Sequence, residues 1–408
     1  MRISINKTEK ILLVLALFFA LIQEELYSLS TTAIVFIPLY IVLTLMLVLY
    51  LLDVYISFRR TGKLRTLVKD KWYIIFWLVF LLFAIFSIMW STHNLYNIMQ
   101  RLLVYSESIL ILIIANVYID LRWYVVITNF LYIMLIVDTA LTFQQNMLWG
   151  LYEDFCNGFF GYTGYGSGAV GVFCVAISIV AIVNYNYKLW STMKSLLVIL
   201  LTSVICALAE VKIYYILFIV ALILFFILGG VSLKVILRNI TIALGVAVLF
   251  YIAYEILKII FPYNLQAMFS VDAYLAYDSR SIYAGRTNTI PFILNTLFYG
   301  KKLSSIFGTG LGSNSANYIY ELGKTFSDLG FAGVTILGSI LVYPLINWII
   351  NKKNRTSQLL FKSVFSISLI VSIVVWNAPF VRSLNILVFL LLGIPTEIDC
   401  DIKKVPEE

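Results

Sequence analysis

Charged side chains are scarce in this chain of 408 residues: they make up 12%, whereas 62% of the residues are hydrophobic. Soluble domains average roughly a quarter charged residues, so this composition excludes a soluble fold of this length. Segments of about ten residues with alternating polarity, typical of membrane-spanning barrels, are also missing. Apolar runs of about twenty residues recur instead, and each can cross a bilayer as a helix. The sequence predicts an all-α polytopic membrane helix bundle, a single transmembrane domain over residues 1–408.

Cysteine and histidine are also rare, which removes several classes of site. The four cysteines show no CxxC spacing, so they predict neither a disulfide framework nor a metal site. The glycine-rich segment Gly308, Gly310 and Gly312 lacks the lysine of a phosphate-binding loop, and we expect these glycines to permit close approach of two chain segments. We therefore expect no metal and no cofactor. The net charge of +8 belongs mainly to loops and does not indicate nucleic acid.

Twelve apolar runs predict twelve membrane-spanning helices, and the connections between them predict their orientation. Most of the 29 basic residues fall in alternate connections, which the positive-inside rule makes cytoplasmic. An even number of spans then places both termini in the cytoplasm. The predicted helices cover residues 10–22, 30–52, 72–90, 99–119, 123–145, 167–186, 190–208, 211–229, 236–261, 326–349, 359–377 and 380–394.

A minority of basic residues lies on the predicted outer side, against the positive-inside rule. Several of them fall in one long polar loop between helices nine and ten, residues 262–325, which we expect to form a folded extracytoplasmic cap. Cations on this side can meet an anionic substrate at the membrane surface. They are Arg101, Lys212, Lys258, Arg280, Arg286, Lys301, Lys302, Lys324 and Arg382.

Arg101 and Arg382 stand near the outer ends of the fourth and last predicted helices. One interpretation is that each arginine side chain extends along the apolar surface so that its guanidinium reaches the membrane–water interface. Arg382 lies one turn into its helix, where a charge is costly unless it is paired or faces an aqueous cavity. Glu210 and Lys212 bound a very short outer connection. They form either a tight turn with solvated charges or a charged pair facing a cavity, where Lys212 contacts a phosphate and Glu210 orients it or acts as a base.

Two aspartates and the one histidine have structural alternatives to a chemical role. We interpret Asp138 as the only acid deep inside an apolar run; proton-coupled transporters use such groups, so transport is one hypothesis. Asp328, in Ser327–Asp328–Leu329–Gly330, either caps the N-terminus of the tenth helix or takes part in chemistry. His93 has no acid or nucleophile at an informative spacing, so we expect a hydrogen-bonded loop histidine.

The topology and motifs together resemble the O-antigen polymerase and ligase superfamily, the Wzy-like proteins of bacterial surface polysaccharide assembly. The likeness rests on a dozen helices, the large outer loop, Gly–Arg at 285–286, Gly–x–Gly–x–Gly at 308–312 and Asp–x–Gly–x–x–Gly at 328–333. By topology it covers the whole chain, and by motif only about 285–333 and 210–212.

The resemblance implies a metal-independent glycosyltransferase that faces outward and uses sugars carried on undecaprenyl diphosphate, with the diphosphate as leaving group. Arg286 matches the family's loop arginine, which holds the diphosphate. Lys212 stands where many members have an arginine. The ligases' His–Asn motif is replaced by Ala316–Asn317, which favours a polymerase over a ligase. A chain-length regulator protein is a further implied partner, beside the lipid-linked oligosaccharide and membrane lipid.

Transfer at an anomeric carbon requires a base for the acceptor hydroxyl and cations that stabilise the departing diphosphate. Arginine suits the second task because its planar fork forms paired, charge-assisted hydrogen bonds. A ligase-like transferase is one alternative. A flippase or transporter of the same lipid is another, which predicts charges deep within several helices. The candidate bases are Glu210, Asp328 and Glu321, and the candidate diphosphate-binding residues are Arg286, Arg101, Lys212, Arg382 and Arg280.

Overall fold

A computed structural model describes residues 2–61, 68–151, 155–162, 166–229, 289–312, 320–351, 355–375 and 379–398, together with positions 248, 252, 255, 256 and 259. Every regular element in these ranges is helical. The α-helices are α1 (Arg2–Ser30), α2 (Ile37–Thr61), α3 (Lys71–Ser87), α4 (Leu95–Tyr118), α5 (Leu121–Met147), α6 (Ser167–Asn186), α7 (Thr192–Leu208), α8 (Lys212–Leu228), α9 (Thr289–Thr296), α10 (Lys302–Phe307), α11 (Glu321–Ile350), α12 (Ser357–Val375) and α13 (Arg382–Gly393).

Eight helices in the described ranges are long and apolar enough to cross a membrane, which confirms a multi-pass all-α bundle. Three shorter apolar helices, α7, α8 and α13, complete the set there. Each corresponds to one of the predicted spans. Most of the predicted ninth span, 236–261, and more than half of the predicted outer loop lie outside the described residues. The number twelve and the orientation in the membrane therefore stay predictions.

Several predicted boundaries differ from the structure; α2, for example, spans Ile37–Thr61 instead of 30–52. In α1 and α11 the difference arises because polar residues are buried inside the protein rather than left in water. Helix α1 runs from Arg2 to Ser30, far beyond the predicted 10–22, and buries Glu9 and Glu25 against its neighbours. Helix α11 begins at Glu321 instead of residue 326, and Glu321 is buried. Residues Ser327 and Asp328 therefore lie inside the helix, and the interpretation of Asp328 as its N-terminal cap is wrong.

One carboxylate joins four helix ends at the predicted inner end of the bundle. The Lys362 ammonium of α12 donates to Asp70 Oδ2 over 2.7 Å, and the Thr396 hydroxyl donates to Asp70 Oδ1 over 2.6 Å. Asn116 of α4 donates to Asp70 Oδ2 and to the Gly393 carbonyl, both over 3.1 Å. This network fixes the start of α3 and α12 to the ends of α4 and α13. The ends predicted to be cytoplasmic are therefore together.

A break in α11 shapes the opposite, predicted outer end. Gly330 has φ 63° and ψ −162°, which interrupts the helix after its first turns. At the break, the Ser327 and Asp328 carbonyls accept from Thr309 N over 2.9 Å and Gly310 N over 3.1 Å. The non-helical backbone is tolerated here because a neighbouring segment of the protein donates hydrogen bonds to its carbonyls.

The glycine-rich segment 308–312 lies against both α11 and the connection between α3 and α4. A Cβ on Gly310 would lie 2.4 Å from Ser91 Cα, and one on Gly312 would lie 2.8 Å from Ile98 N. Ser91 Oγ donates to the Leu311 carbonyl over 2.8 Å. These contacts confirm that the glycines permit close approach of the chain.

Replacement of Asp70 by Asn is expected to cost about 3 kcal/mol of stability, because it leaves the buried Lys362 ammonium without a counterion. Burial alone raises the pKa of Asp70, but Lys362 and the hydrogen bonds from Lys362 and Thr396 outweigh it and hold that pKa below its ordinary value. The stabilisation is therefore complete above the unfolded pKa of about 3.9 and is lost as pH falls through the lower folded pKa. Denaturant titration in detergent at pH 7 and under acidic conditions measures both effects.

The exposed Glu397, which lies near the same network, supplies the control. Glu397→Gln is expected to change stability by less than about 0.5 kcal/mol. A penalty for Asp70→Asn that persisted unchanged in acid would contradict the assignment.

Replacement of Gly330 by Ala is expected to destabilise the protein by at least about 1 kcal/mol, because a side chain strains a left-handed backbone. The added Cβ would also lie 2.4 Å from the Ile306 carbonyl carbon. Gly338 of the same helix is a matched control, since nothing lies within 4 Å of its added Cβ. Thermal unfolding should show a lower midpoint for Gly330→Ala and an equal or higher one for Gly338→Ala. Equal midpoints for the two variants would refute the role of the break.

Candidate functional site

Arg101 is held between two acidic residues of α11 at the predicted outer end. Its guanidinium donates to both carboxylate oxygens of Glu321, with Nη1 to Oε2 at 3.1 Å, and its Nε donates to Asp328 Oδ2 over 3.3 Å. The Arg101 side chain is 14% exposed and both carboxylates are 1% exposed. The interpretation of Arg101 as an arginine extended to the interface is therefore wrong.

Local structure places these three side chains. The Asn94 side chain caps α4 by accepting from Tyr96 N, so α4 begins just ahead of Arg101. Glu321 and Asp328 lie two turns apart in α11 and therefore on one face, because side chains seven positions apart in an α-helix nearly superimpose. The Gly330 break follows directly after this face. One arginine can therefore bridge both carboxylates of the first segment of α11.

Two aromatic rings and a second cation complete the environment of Arg101. The guanidinium carbon lies 4.9 Å from the Tyr105 ring centroid and 5.9 Å from that of Phe380. Lys324 is close enough to interact electrostatically with both carboxylates. Two cations thus face two carboxylates, so a substrate diphosphate would have to compete with existing ion pairs for Arg101. Sequence reasoning found Arg101, Glu321 and Asp328 separately, and the structure brings them together.

Arg382, the first residue of α13, has a different environment. Its guanidinium carbon lies 5.4 Å from the Phe36 ring centroid and 5.9 Å from that of Tyr40. Glu24 of α1 and Glu107 of α4 act on its charge through space. Within the described ranges, no carboxylate forms an ion pair with this guanidinium. We call these five residues the Arg382 cluster.

Two polar side chains order the cluster from the helices on either side. Gln23 Nε2 donates to the Arg382 carbonyl over 3.3 Å, which links α1 to α13. Asn385 Nδ2 donates to Glu107 Oε2 over 3.3 Å, which links α13 to α4. The second carboxylate oxygen of Glu107 is buried and has no hydrogen-bond partner among the described residues. The cluster thus contains a half-buried cation, two aromatic rings and a buried carboxylate oxygen without a hydrogen-bond partner among the described residues.

Sequence reasoning missed the acids of this cluster. Glu107 is buried within α4, so the interpretation of Asp138 as the only acid deep inside an apolar run is wrong. The signal was available, because residue 107 falls well inside the predicted fourth helix, 99–119. Glu24 lies beyond residue 22, the predicted end of the first helix, and therefore falls in a predicted connection rather than in a helix.

Asp138 holds the backbone of a neighbouring buried segment through one of its two carboxylate oxygens. Its Oδ1 accepts from Phe159 N over 2.7 Å. Gln145, two turns further along α5, accepts from Gly158 N over 2.7 Å and donates to the Gly158 carbonyl over 2.9 Å. These side chains of α5 provide hydrogen-bond partners for backbone groups of the short buried segment Gly158–Phe160.

The remaining predicted residues lie apart from the Arg382 cluster or outside the described residues. Glu210 has φ 52° in the tight connection before α8, where Lys212 N donates to the Glu210 carbonyl over 3.0 Å. Both side chains are half-buried. His93 Nε2 forms a hydrogen bond with Thr309 Oγ1 at 2.9 Å, which confirms a hydrogen-bonded loop histidine. Arg280 and Arg286 lie outside the described residues. The resemblance supports Arg286, and Arg280 is proposed from its place in the predicted outer loop.

No protein-family model and no curated protein matches this chain. Its own residues, together with the resemblance in the motifs at 285–286, 308–312 and 328–333, are therefore the basis for a functional hypothesis.

Replacement of Arg101 by Gln is expected to destabilise the protein by about 3 kcal/mol, because removal of one partner leaves two buried carboxylates without their cation. Arg122, exposed at the opposite end of the bundle, is the matched control, and Arg122→Gln is expected to change stability by less than about 0.5 kcal/mol. Denaturant titration in detergent, without substrate, measures both. Equal stability of the two variants would show that Arg101 does not hold α4 to α11.

Proposed function

We propose that this protein is a polysaccharide polymerase at the outer face of a bacterial cytoplasmic membrane. It transfers a growing glycan from undecaprenyl diphosphate onto the next lipid-linked repeat unit. The observation that carries the proposal is the Arg382 cluster. Its arginine has no ion-pair partner among the described residues, lies beside two aromatic rings and has two carboxylates nearby.

The cluster supplies the groups that the reaction needs. The acceptor hydroxyl oxygen attacks the anomeric carbon of the growing glycan and forms the new glycosidic bond. The bond between that carbon and the diphosphate oxygen breaks, and the diphosphate leaves with the electron pair. Arg382 binds the departing anion with charge-assisted hydrogen bonds. Glu107, through its free carboxylate oxygen, accepts the hydroxyl proton as general base.

The other predicted residues take supporting roles. The charge of Arg101 is offset by Glu321 and Asp328, so these three residues position α4 and α11 rather than bind the diphosphate. The resemblance assigns Arg286 to the diphosphate as well, and Lys212 stands where many members of the family have an arginine. Arg280, in the predicted outer loop, is a further cation. Phe36 and Tyr40 offer apolar faces on which a sugar ring can stack.

Arg382→Gln is expected to lower the rate of polymer formation by roughly 100-fold, the usual cost of removing one group that stabilises a developing anion. Glu107→Gln is expected to lower kcat by about 100-fold with little change in KM, as for loss of a general base. The assay uses purified protein in detergent with a synthetic lipid-diphosphate repeat unit. A gel then resolves a ladder of products spaced by one repeat.

The exposed Arg122 at the other end again gives the control, since Arg122→Gln should leave the ladder intact. An unchanged ladder from Arg382→Gln would refute the assignment of the diphosphate to this residue. Transfer of the glycan to a different acceptor without a ladder would instead identify a ligase-like transferase. Movement of the lipid across vesicles without any product would identify a transporter.

A further inference from the structure

A cleft of about 440 Å³ opens at the predicted inner end of the bundle, far from the Arg382 cluster. Three lysines line it, Lys69, Lys71 and Lys362, against two carboxylates, Asp70 and Glu397. Lys362 is 2% exposed and forms an ion pair with Asp70. Lys69 and Lys71 are exposed. The accessible charges of the cleft are therefore the two lysines on either side of Asp70 and the exposed carboxylate of Glu397.

The N-terminus of α3 contributes uncapped backbone donors to the same cleft. Asp70 occupies the cap position, but its side chain makes no cap hydrogen bond because Lys362, Thr396 and Asn116 engage it. No described side chain caps the first-turn N–H groups of residues 71–73, and all three residues line the cleft. Free N–H groups and the positive end of a helix dipole together favour an anion.

The two exposed lysines have different surroundings. The carboxylates of Asp70, Asp120 and Glu397 act on the charge of Lys69 through space, whereas Lys71 lies at the start of α3. Positive charge at a helix N-terminus opposes the helix dipole, and Lys71 is the first residue of α3. Lys69 Nζ donates to the Ile119 carbonyl over 3.1 Å, which leaves two of its three hydrogens for a ligand. An anion bound between the two lysines would therefore offset the unfavourable charge of Lys71.

The rim of the cleft continues into the apolar surface of the bundle. Trp72, which lines the cleft, is 66% exposed, and on α11 the neighbouring Ile346 and Ile350 are 46% and 70% exposed. Tryptophan beside exposed aliphatic side chains is typical of the boundary between head groups and acyl chains. A molecule with a phosphate in the cleft can therefore extend hydrocarbon chains along this surface.

We propose that this cleft binds the phosphate head group of an anionic membrane phospholipid. Lys69, Lys71 and the first-turn N–H groups of α3 contact the phosphate, and Trp72 lies beside the acyl chains. Basic clefts between membrane helices on the cytoplasmic side suit such head groups. The site is separate from the proposed polymerase chemistry and does not depend on it.

The test measures thermal unfolding of the full chain in detergent with three added probes: phosphatidylglycerol, phosphatidylcholine and inorganic phosphate. Phosphatidylglycerol is expected to raise the unfolding midpoint in a saturable manner, since a ligand that binds only the folded state stabilises it. The other two probes are expected to have no such effect. Lys69→Gln with Lys71→Gln should raise the half-saturating concentration of phosphatidylglycerol by about tenfold.

Lys301→Gln with Lys302→Gln is the matched control, because it removes two exposed lysines from the opposite end. This control should respond to phosphatidylglycerol as the unaltered protein does. An equal loss of response in both double variants would overturn the site in favour of overall charge. An equal shift from phosphatidylcholine would show plain solvation by lipid. A matching shift from inorganic phosphate would identify a soluble anion as the ligand.

Discussion

A guanidinium buried in a membrane protein has to be neutralised by the protein itself, because hydrocarbon provides neither counterions nor hydrogen bonds. Arg101 meets this constraint with two carboxylates that both come from the first segment of α11. The ion pairs therefore determine where that segment lies against α4. They also determine where the polypeptide must turn before α11 continues through the bundle, since the remainder of the helix packs on α12 and α3.

The glycine motifs follow from that turn. Gly330 adopts a left-handed conformation directly after the face that carries Glu321 and Asp328, and the carbonyls at the break are satisfied by Thr309 N and Gly310 N. The segment that supplies these donors can approach only because its own glycines lack side chains. The two motifs that carry the resemblance, at 308–312 and 328–333, are thus two sides of one contact. Their spacing in sequence reflects a packing requirement as well as any role in chemistry.

Much of the fold could be predicted from the sequence because membrane spans are a local property. Helix α6 has the predicted bounds, 167–186, since polar or glycine-rich residues flank its apolar run on both sides. Helices α1 and α11 were predicted too short because their polar ends are buried by other helices, and apolar length alone does not report burial. The ends of these helices carry much of the polar chemistry, so the same error affected the site.

The residue types of the candidate site could be predicted, but not their partners. The outer arginines can be recognised because they lie on the side where the positive-inside rule predicts few basic residues. The acids of residues 321–328 can be recognised because charged residues are rare in this chain. Whether Arg101 or Arg382 meets a carboxylate depends on contacts between helices hundreds of residues apart, which have no sequence signature here. Glu107 differs from these partners, because its position inside the predicted fourth helix identifies it as an acid within a membrane span. It was overlooked, and the aromatic partners of Arg382 had no signal beyond their abundance.

The two outer arginines show how compensation of charge separates a structural cation from a binding one. Arg101 has two ion pairs, and a phosphate would have to displace a carboxylate that then stays buried, at a cost that offsets the gain. Arg382 is neutralised only at longer range by Glu24 and Glu107, so an incoming diphosphate adds an ion pair without breaking one. The same reasoning applies at the inner end. Lys362 is bound by Asp70 and holds helices together, whereas Lys69 and Lys71 remain accessible to a head group. At both ends of the bundle, a cation in an ion pair holds the helices together, and a nearby cation without such an ion pair among the described residues is available to bind an anion.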